Sequence, residues 1–422
     1  MICPKVFRRL GIMVFATVVS LSCMPLALEA ETLDPDILNQ PVGGLAIRTP
    51  PRPMELLSSA DARALDEQMS SYRREDDSLL KNKASRYYYY ERLDPTAMQI
   101  YDVMYEVCRD PVSTGNIGLV MTDQDPEGEE FYHDFGLAYR AICFDHPELF
   151  WLYSGEEANI GYYSEAINQN GFYFVYFKMV EPFENFEEQM TRFNSAADAF
   201  LADIDTGISE YDTILQIHDK LIGMVNYNDP VAESISFFSL GQDLAHTAYG
   251  ALVEDSSQNP HYAVCDGYSL AFEYLLQQCG IDAVFIGGMA GPGEDALGGH
   301  AWNVVKLDGV WYEVDSTWDD AGSNEDDVTP GTDMHGYLME MLNDPAYRQK
   351  IDHYLFLVST ERISDFPSGE EYEYLTSDQM HVFNLCDKSL HIRMSDYQGE
   401  DEENPDAEII ATAPVSMQSY RQ

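Results

Sequence analysis

Three residues far apart in the chain have the types that acyl transfer needs: Cys265, His300 and Asp315. A deprotonated thiol can attack an amide carbonyl, an imidazole can take and return the proton, and a carboxylate can hold that imidazole in one tautomer. Cys265 heads a run, through Tyr268, Leu270, Phe272 and Leu275, in which apolar residues occupy nearly every face, and Gly280 ends it. This pattern predicts an enclosed helix with a thiol at its amino terminus and Gly280 as its left-handed cap. Unpaired backbone N–H groups and the positive end of the dipole favour thiolate there, and the same donors stand beside any oxyanion that forms. A lone cysteine in that place is more often a small buried hydrophobe, so the reading depends on its partners.

The partners fall in a predicted hairpin. Residues Ala301 to Leu307 and Val310 to Trp318 are strand-like, and Asp308-Gly309 between them is a two-residue turn signal. That turn sets Leu307 opposite Val310, Trp302 opposite Asp315 and His300 opposite Thr317. His300, Trp302 and Val304 then share a face with Glu313, Asp315 and Thr317, while Ala301, Val305, Leu307, Val310, Tyr312 and Val314 form an apolar side. His300 and Asp315 become diagonal neighbours roughly 7 to 8 Å apart along the backbone, within side-chain reach. Gly298 and Gly299 leave room for a substrate beside the imidazole. The competing reading is a hairpin whose His and Asp are incidental. A metal site on Cys265, His300 and Asp315 would lack a fourth ligand, with His261 the one nearby candidate, so no metal or cofactor is expected.

Composition narrows the class. The 422 residues carry 73 Asp+Glu against 24 Lys+Arg, a net charge of -49, which excludes sequence-independent nucleic-acid binding. A content of 45% hydrophobic residues is enough for a packed core. Lys5, Arg8 and Arg9 precede an uncharged stretch from Leu10 to Leu28, with small residues at Ala27 and Ala30, so residues 1–30 read as an export signal. Pro25, Ser20, Ser22 and Cys23 argue against a membrane anchor, and no leucine lies three places before Cys23 to suit lipidation. A secreted or cell-surface protein is expected, touching membrane through that segment alone. Cys108, Cys143, Cys265, Cys279 and Cys386 remain beyond it, an odd number without a CxxC pair, and their pairing is left open.

Residues 31–82 read as a linker with one short helix around 60–72, and 83–204 as an aromatic-rich region. Within that region Pro95 starts an amphipathic helix that places Cys108 in the core, and Phe172 to Val180 reads as a strand. A helix beginning near Ser209 carries His218 on its apolar face, expected as a hydrogen-bonded core histidine. Residues 366–394 form an extension, and the acidic tail 395–422 is expected to be mobile.

The order of Cys265, then Gly299-His300-Ala301-Trp302-Asn303, then Trp311 to Asp319 around Asp315, resembles the transglutaminase-like superfamily of papain-like thiol enzymes. The likeness extends to Ile217-His218-Asp219, Val225 to Asn228, Thr247 to Leu252, and Tyr354 to Ser359, the last resembling a closing strand. It implies an α+β fold over residues 205–365, with a central nucleophile helix packed on an antiparallel sheet. It implies Cys265 as nucleophile, His300 as general base and acid, and Asp315 as orienting partner. Exported bacterial members imply a protein or peptide substrate, cell-wall peptide among the candidates, with hydrolysis favoured over amine transfer. The backbone N–H of Cys265 is the default oxyanion donor, with Tyr249 or Trp302 as a second. Two stretches depart from the pattern: the long polar approach Glu254 to His261, and an acidic insertion from Asp319 to Asp333 that lacks the glycine-centred spacing of a calcium loop.

Overall fold

A computed structural model describes residues 87–109, 111, 117–152, 160–166, 173–179, 185–232, 243–291, 297–320, 343, 345, 352–364, 390–396 and 405–420. The export signal, the linker with its short helix, residues 321–333 of the insertion, and residues 366–389 of the extension lie outside them.

Asp94 sets the first helix, α1 (Pro95–Cys108): its carboxylate accepts from the N–H groups of Thr96 and Ala97, and Pro95 occupies the first turn. The stripe Ala97, Ile100, Tyr101, Met104, Val107 and Cys108 is buried as its spacing requires. Helix α2 (Glu129–Asp145) lies beside it. Strands β1 (Ile117–Thr122), β2 (Ile160–Ala166) and β3 (Tyr173–Met179) form an antiparallel sheet in the order β1-β3-β2. Helices α3 (Phe186–Leu201) and α4 (Glu210–Ile222) follow, the latter capped by the Ser209 hydroxyl. A two-stranded parallel pairing joins β4 (Asn226–Tyr227) to β5 (Tyr262–Ala263), on either side of α5 (Ala248–Leu252).

The second sheet carries the chemistry. Helix α6 (Cys265–Gln278) packs on β6 (Ala283–Gly291) and β7 (Gly298–Leu307), and the sheet runs β8-β7-β6-β9, with β8 at Val310–Val314 and β9 at Leu390–Arg393, every pairing antiparallel. Gly280 takes φ +76° at the end of α6, where the Ile281 N–H reaches back to Leu276. Asp308 and Gly309 both take positive φ, 51° and 81°, the requirement of the tight hairpin turn, and Leu307 pairs with Val310 as the turn predicts.

One continuous apolar core joins the aromatic-rich region to this sheet: Phe144 of α2 stacks on Phe285 of β6 at 4.8 Å, and the Tyr89 hydroxyl donates to the Phe285 carbonyl. No helix among the described residues is long and apolar enough to cross a membrane. Cys108, Cys143, Cys265 and Cys279 are free thiols.

Both faces of the hairpin are covered, since Trp302, Val304 and Glu313 are as buried as Ala301 and Val305. Three expectations are corrected. Strand β8 stops at Val314 rather than reaching Trp318, because Asp315 Oδ1 accepts from the N–H groups of Thr317 and Trp318 and bends the chain out of the ladder. The segment Tyr354 to Ser359 contributes one bridge, Val358 to Glu313, preceded by turns instead of a strand. Of the tail expected to be mobile, residues 405–420 are folded in: Pro405–Ala411 form α7, Ile409 and Ile410 are buried, and Tyr420 stacks on Tyr211 at 4.9 Å. Its few apolar residues anchor it despite the surrounding acidic charge.

Candidate active site

Helix α6 begins where the chain is pressed against the turn at Ala245–Thr247: a Cβ on Gly267 would lie 2.4 Å from the Ala245 carbonyl oxygen, so only glycine fits this first turn. The Val264 N–H donates to that same carbonyl, and the Ser269 hydroxyl donates to the Cys265 carbonyl. Together these contacts fix the amino terminus of the helix, leaving the partly exposed Cys265 at its first position. The next side chain, Asp266, is paired with His246 Nδ1 at 2.9 Å.

His300, third residue of β7, brings its imidazole to Cys265 on one side and Asp315 on the other. His300 Nε2 is 2.7 Å from Asp315 Oδ2, and the Cys265 thiol is a further hydrogen-bonding partner of the ring. Burial pushes the imidazole pKa down, but the Asp315 charge and hydrogen bond, then the thiol, outweigh it and hold the pKa up at about 10. Burial would raise the Asp315 carboxyl; His300 and then His391 hold it well below the usual carboxylate range. The thiol, the imidazole and the carboxylate therefore lie together. Among the described residues, a Cβ built on Gly298 or Gly299 meets nothing within 4 Å, which leaves open space beside His300.

The structure adds a residue that sequence reasoning missed. His391 Nε2, from β9, lies 2.8 Å from Asp315 Oδ2, the oxygen that also serves His300. With the Thr317 and Trp318 amides on Oδ1, all four hydrogen-bonding positions of this fully buried carboxylate are used. Burial, then the neighbouring His300, lower the His391 pKa against the raising effect of Asp315, so the ring is neutral and donates its Nε2 proton. Trp302 and Trp318 wall the ring, at 5.1 and 4.7 Å between centroids. Alternation in Leu390 to Arg393 signals a short strand but not where it docks. The ligand atoms of His300, Asp315 and His391 lie within 4.8 Å of one another, close enough to hold a metal ion as well. His261 is no part of that set: its Nδ1 is 3.2 Å from the Ala251 carbonyl.

Neither side chain expected as a second oxyanion donor is suited to it. The Trp302 Nε1–H donates to Glu313 Oε2 at 2.8 Å, and Tyr249 packs on Phe150 with Arg192, Glu254 and Glu188 as its charged neighbours. Tyr227 of β4 is the candidate instead, since its phenol lies within electrostatic range of Cys265 and Asp266. Burial, then the Cys265 and Asp266 charges, push its phenol well above the ordinary range, which keeps the O–H protonated and able to donate. Behind the site, Glu313 also accepts from Arg393 and from the Thr360 hydroxyl, and Arg393 donates to the Pro414 carbonyl, so the carboxyl-terminal segment braces the hairpin.

No family model matches the chain. Over 61 residues it is 39% identical to the kyphoscoliosis peptidase of Mus musculus and 38% identical to that of Homo sapiens. Each match covers 13% of this chain and 9% of the relative, so the chain spans about a tenth of the length of these relatives. Among solved structures, a TGase is similar over 49% of this chain and 52% of its own, at 13% identity and a TM-score of 0.25. A candidate cysteine protease of Cytophaga hutchinsonii is similar over 37% of this chain and 62% of its own, at 15% identity and a TM-score of 0.22.

Proposed function

We propose that this protein is an exported thiol enzyme that breaks an amide bond through a thioester on Cys265, with a protein or peptide as substrate. The observation that carries the reading is the 2.7 Å contact between His300 Nε2 and Asp315 Oδ2 in a ring whose other partner is a helix-terminal thiol.

The chemistry follows from those contacts. His300 already holds, as imidazolium, the proton given up by Cys265, and Sγ attacks the carbonyl carbon as the carbonyl electron pair moves onto oxygen. The Cys265 N–H and the Tyr227 hydroxyl donate to that oxyanion. Collapse restores the carbonyl, breaks the C–N bond and expels the amine, which takes the proton held on His300. Water then attacks the thioester with His300 as base, a second collapse breaks the C–S bond, and the thiol regains its proton. Asp315 stays ionised throughout and keeps the Nε2 side of the ring turned away from sulfur.

Hydrolysis of peptide or isopeptide bonds is the favoured outcome, because the open space at Gly298 and Gly299 admits water to the thioester. The net charge of -49 favours a second reading, transfer of the acyl group to a cationic amine and so crosslinking through glutamine. Iodoacetamide at neutral pH tests the shared step: Cys265 is expected to alkylate at least about tenfold faster than Cys279, which is also partly exposed. Equal rates would remove the catalytic reading and leave a non-catalytic binding module of the same fold. Incorporation of a fluorescent amine into a glutamine-containing protein, against release of peptide fragments or ammonia, then separates transfer from hydrolysis.

A further inference from the structure

A second cluster of imidazoles and carboxylates lies outside the catalytic site, and acyl transfer uses none of it. Helix α4 contributes His218 and Asp219, and the turn at 352–357 contributes His353. Asp219 Oδ1 is 3.1 Å from His218 Nδ1 and 2.6 Å from His353 Nε2, and the three ligand atoms lie within 4.8 Å of one another. We infer that His218 Nδ1, Asp219 and His353 Nε2 form a binding site for one divalent transition-metal ion of the zinc class. Two imidazoles and a carboxylate, completed by water, are a donor set that zinc, cobalt and ferrous iron accept and that calcium and magnesium do not prefer.

Three further observations converge on this site. The innermost donor is already oriented: His218 Nε2, on the far side of the ring, faces Asp319 Oδ2 at 3.3 Å. A carboxylate on the outer nitrogen of a ligating histidine fixes the tautomer that leaves the inner lone pair free for a metal. The contact is present but poorly aligned, since neither His218 Nε2 nor Asp319 Oδ2 has a properly directed hydrogen bond although both are buried. A metal pulling on Nδ1 would draw the ring into register with that carboxylate. Finally, the exposure is graded: the His218 side chain is fully buried, His353 is 22% exposed and Asp219 47%. An ion can therefore reach preformed donors from solvent, and the strongly acidic chain concentrates cations around it.

The site's place in the fold gives such an ion a consequence. Asp319 Oδ1 accepts from the Leu355 N–H at 2.7 Å, and the Asp319 N–H donates to the Asp315 carbonyl. The Asp315 N–H in turn donates to the Leu355 carbonyl. Metal bound between α4 and the 352–357 turn would thus clamp the segment on which the catalytic carboxylate is hung.

The test uses the full chain, stripped with a chelator and titrated with Co2+ and then with Zn2+. The expected result is one Co2+ per chain with the intense visible absorption of a four- or five-coordinate site, displaced by one Zn2+, and a rise in melting temperature on Zn2+ addition. His353→Gln and the near-isosteric Asp219→Asn, both at partly exposed positions, are each expected to weaken binding by at least about tenfold. Cys265→Ser and His391→Gln are expected to retain the Co2+ spectrum. Absence of stoichiometric uptake, an absorption no stronger than that of hydrated Co2+, or unchanged affinity in both His353→Gln and Asp219→Asn would overturn the site. So would a signal lost in Cys265→Ser or His391→Gln, which would put the ion at the catalytic cluster. A failure here leaves the thiol chemistry untouched, because alkylation of Cys265 is scored without metal.

Discussion

The molecule builds nearly the same polar cluster twice. At His300, Asp315 and His391 two imidazoles share one carboxylate oxygen, and at His218, Asp219 and His353 two imidazoles again share one. In the first, Asp315 and His391 are fully buried, and a helix-terminal thiol is a partner of the other ring. The second opens to solvent and has a second carboxylate, Asp319, where the first has the thiol. Imidazole and carboxylate alone therefore do not mark a catalytic centre. What distinguishes the first cluster is a thiol at the positive end of a helix and an enclosed carboxylate that can hold the ring in one orientation.

That contrast can be broken by substitution. Cys265→Ala is expected to abolish turnover of an amide substrate, while Cys279→Ala leaves it intact, as measured by release of product from a fluorogenic peptide. Asp315→Asn should lower kcat about 10³-fold or more, because an amide in place of the carboxylate forces the wrong ring orientation. Retained activity would mean that the Asp315 contact is structural, as in the second cluster. Tyr227→Phe removes one oxyanion donor and is expected to cost about 10²-fold in kcat with little change in KM. If its loss falls in KM instead, Tyr227 lines the substrate site without serving the oxyanion.

Smaller effects sharpen the same comparison. His391→Gln should reduce kcat roughly tenfold and steepen its dependence on temperature, since the carboxylate loses one of its two anchoring rings. A variant matching the native rate would place His391 in packing alone. The alkaline limb of kcat/KM is expected near pH 10, where His300 gives up its proton. At the second cluster, burial lowers the His218 pKa but Asp219 and Asp319 raise it to about 9. Because the folded value exceeds the ordinary 6.5, the stabilisation is complete below pH 6.5 and is lost as pH rises through about 9. In the metal-free protein, urea melts between pH 6 and pH 10 should show a loss on the order of 3 kcal/mol that Asp219→Asn diminishes. A flat profile in the native chain would show that the ring carries no excess proton.

Much of the geometry of the candidate site is legible in the sequence, because it rests on short-range rules. Asp308-Gly309 dictates a tight turn whatever surrounds it, and the register from that turn brings His300 and Asp315 to one side of the hairpin. The apolar run behind Cys265 dictates an enclosed helix ending at Gly280, and Asp94-Pro95 dictates the start of α1. Where the reading failed, long-range contacts decided. Strand β8 ends early through the side chain of Asp315 itself, and the acidic tail folds because Ile409 and Ile410 find an apolar site that charge composition does not reveal.

By itself, then, the sequence determined which residues could do chemistry, the helix that presents the thiol and the hairpin that aligns its partners. These follow from backbone preferences over a handful of neighbouring positions. Only the tertiary structure decided that His391, 76 residues beyond Asp315, would close over the same carboxylate oxygen, that Trp302 would be committed to Glu313, and that Tyr227 would come within electrostatic range of Cys265. Such contacts join segments with no local coupling, and they are set by how the whole core packs.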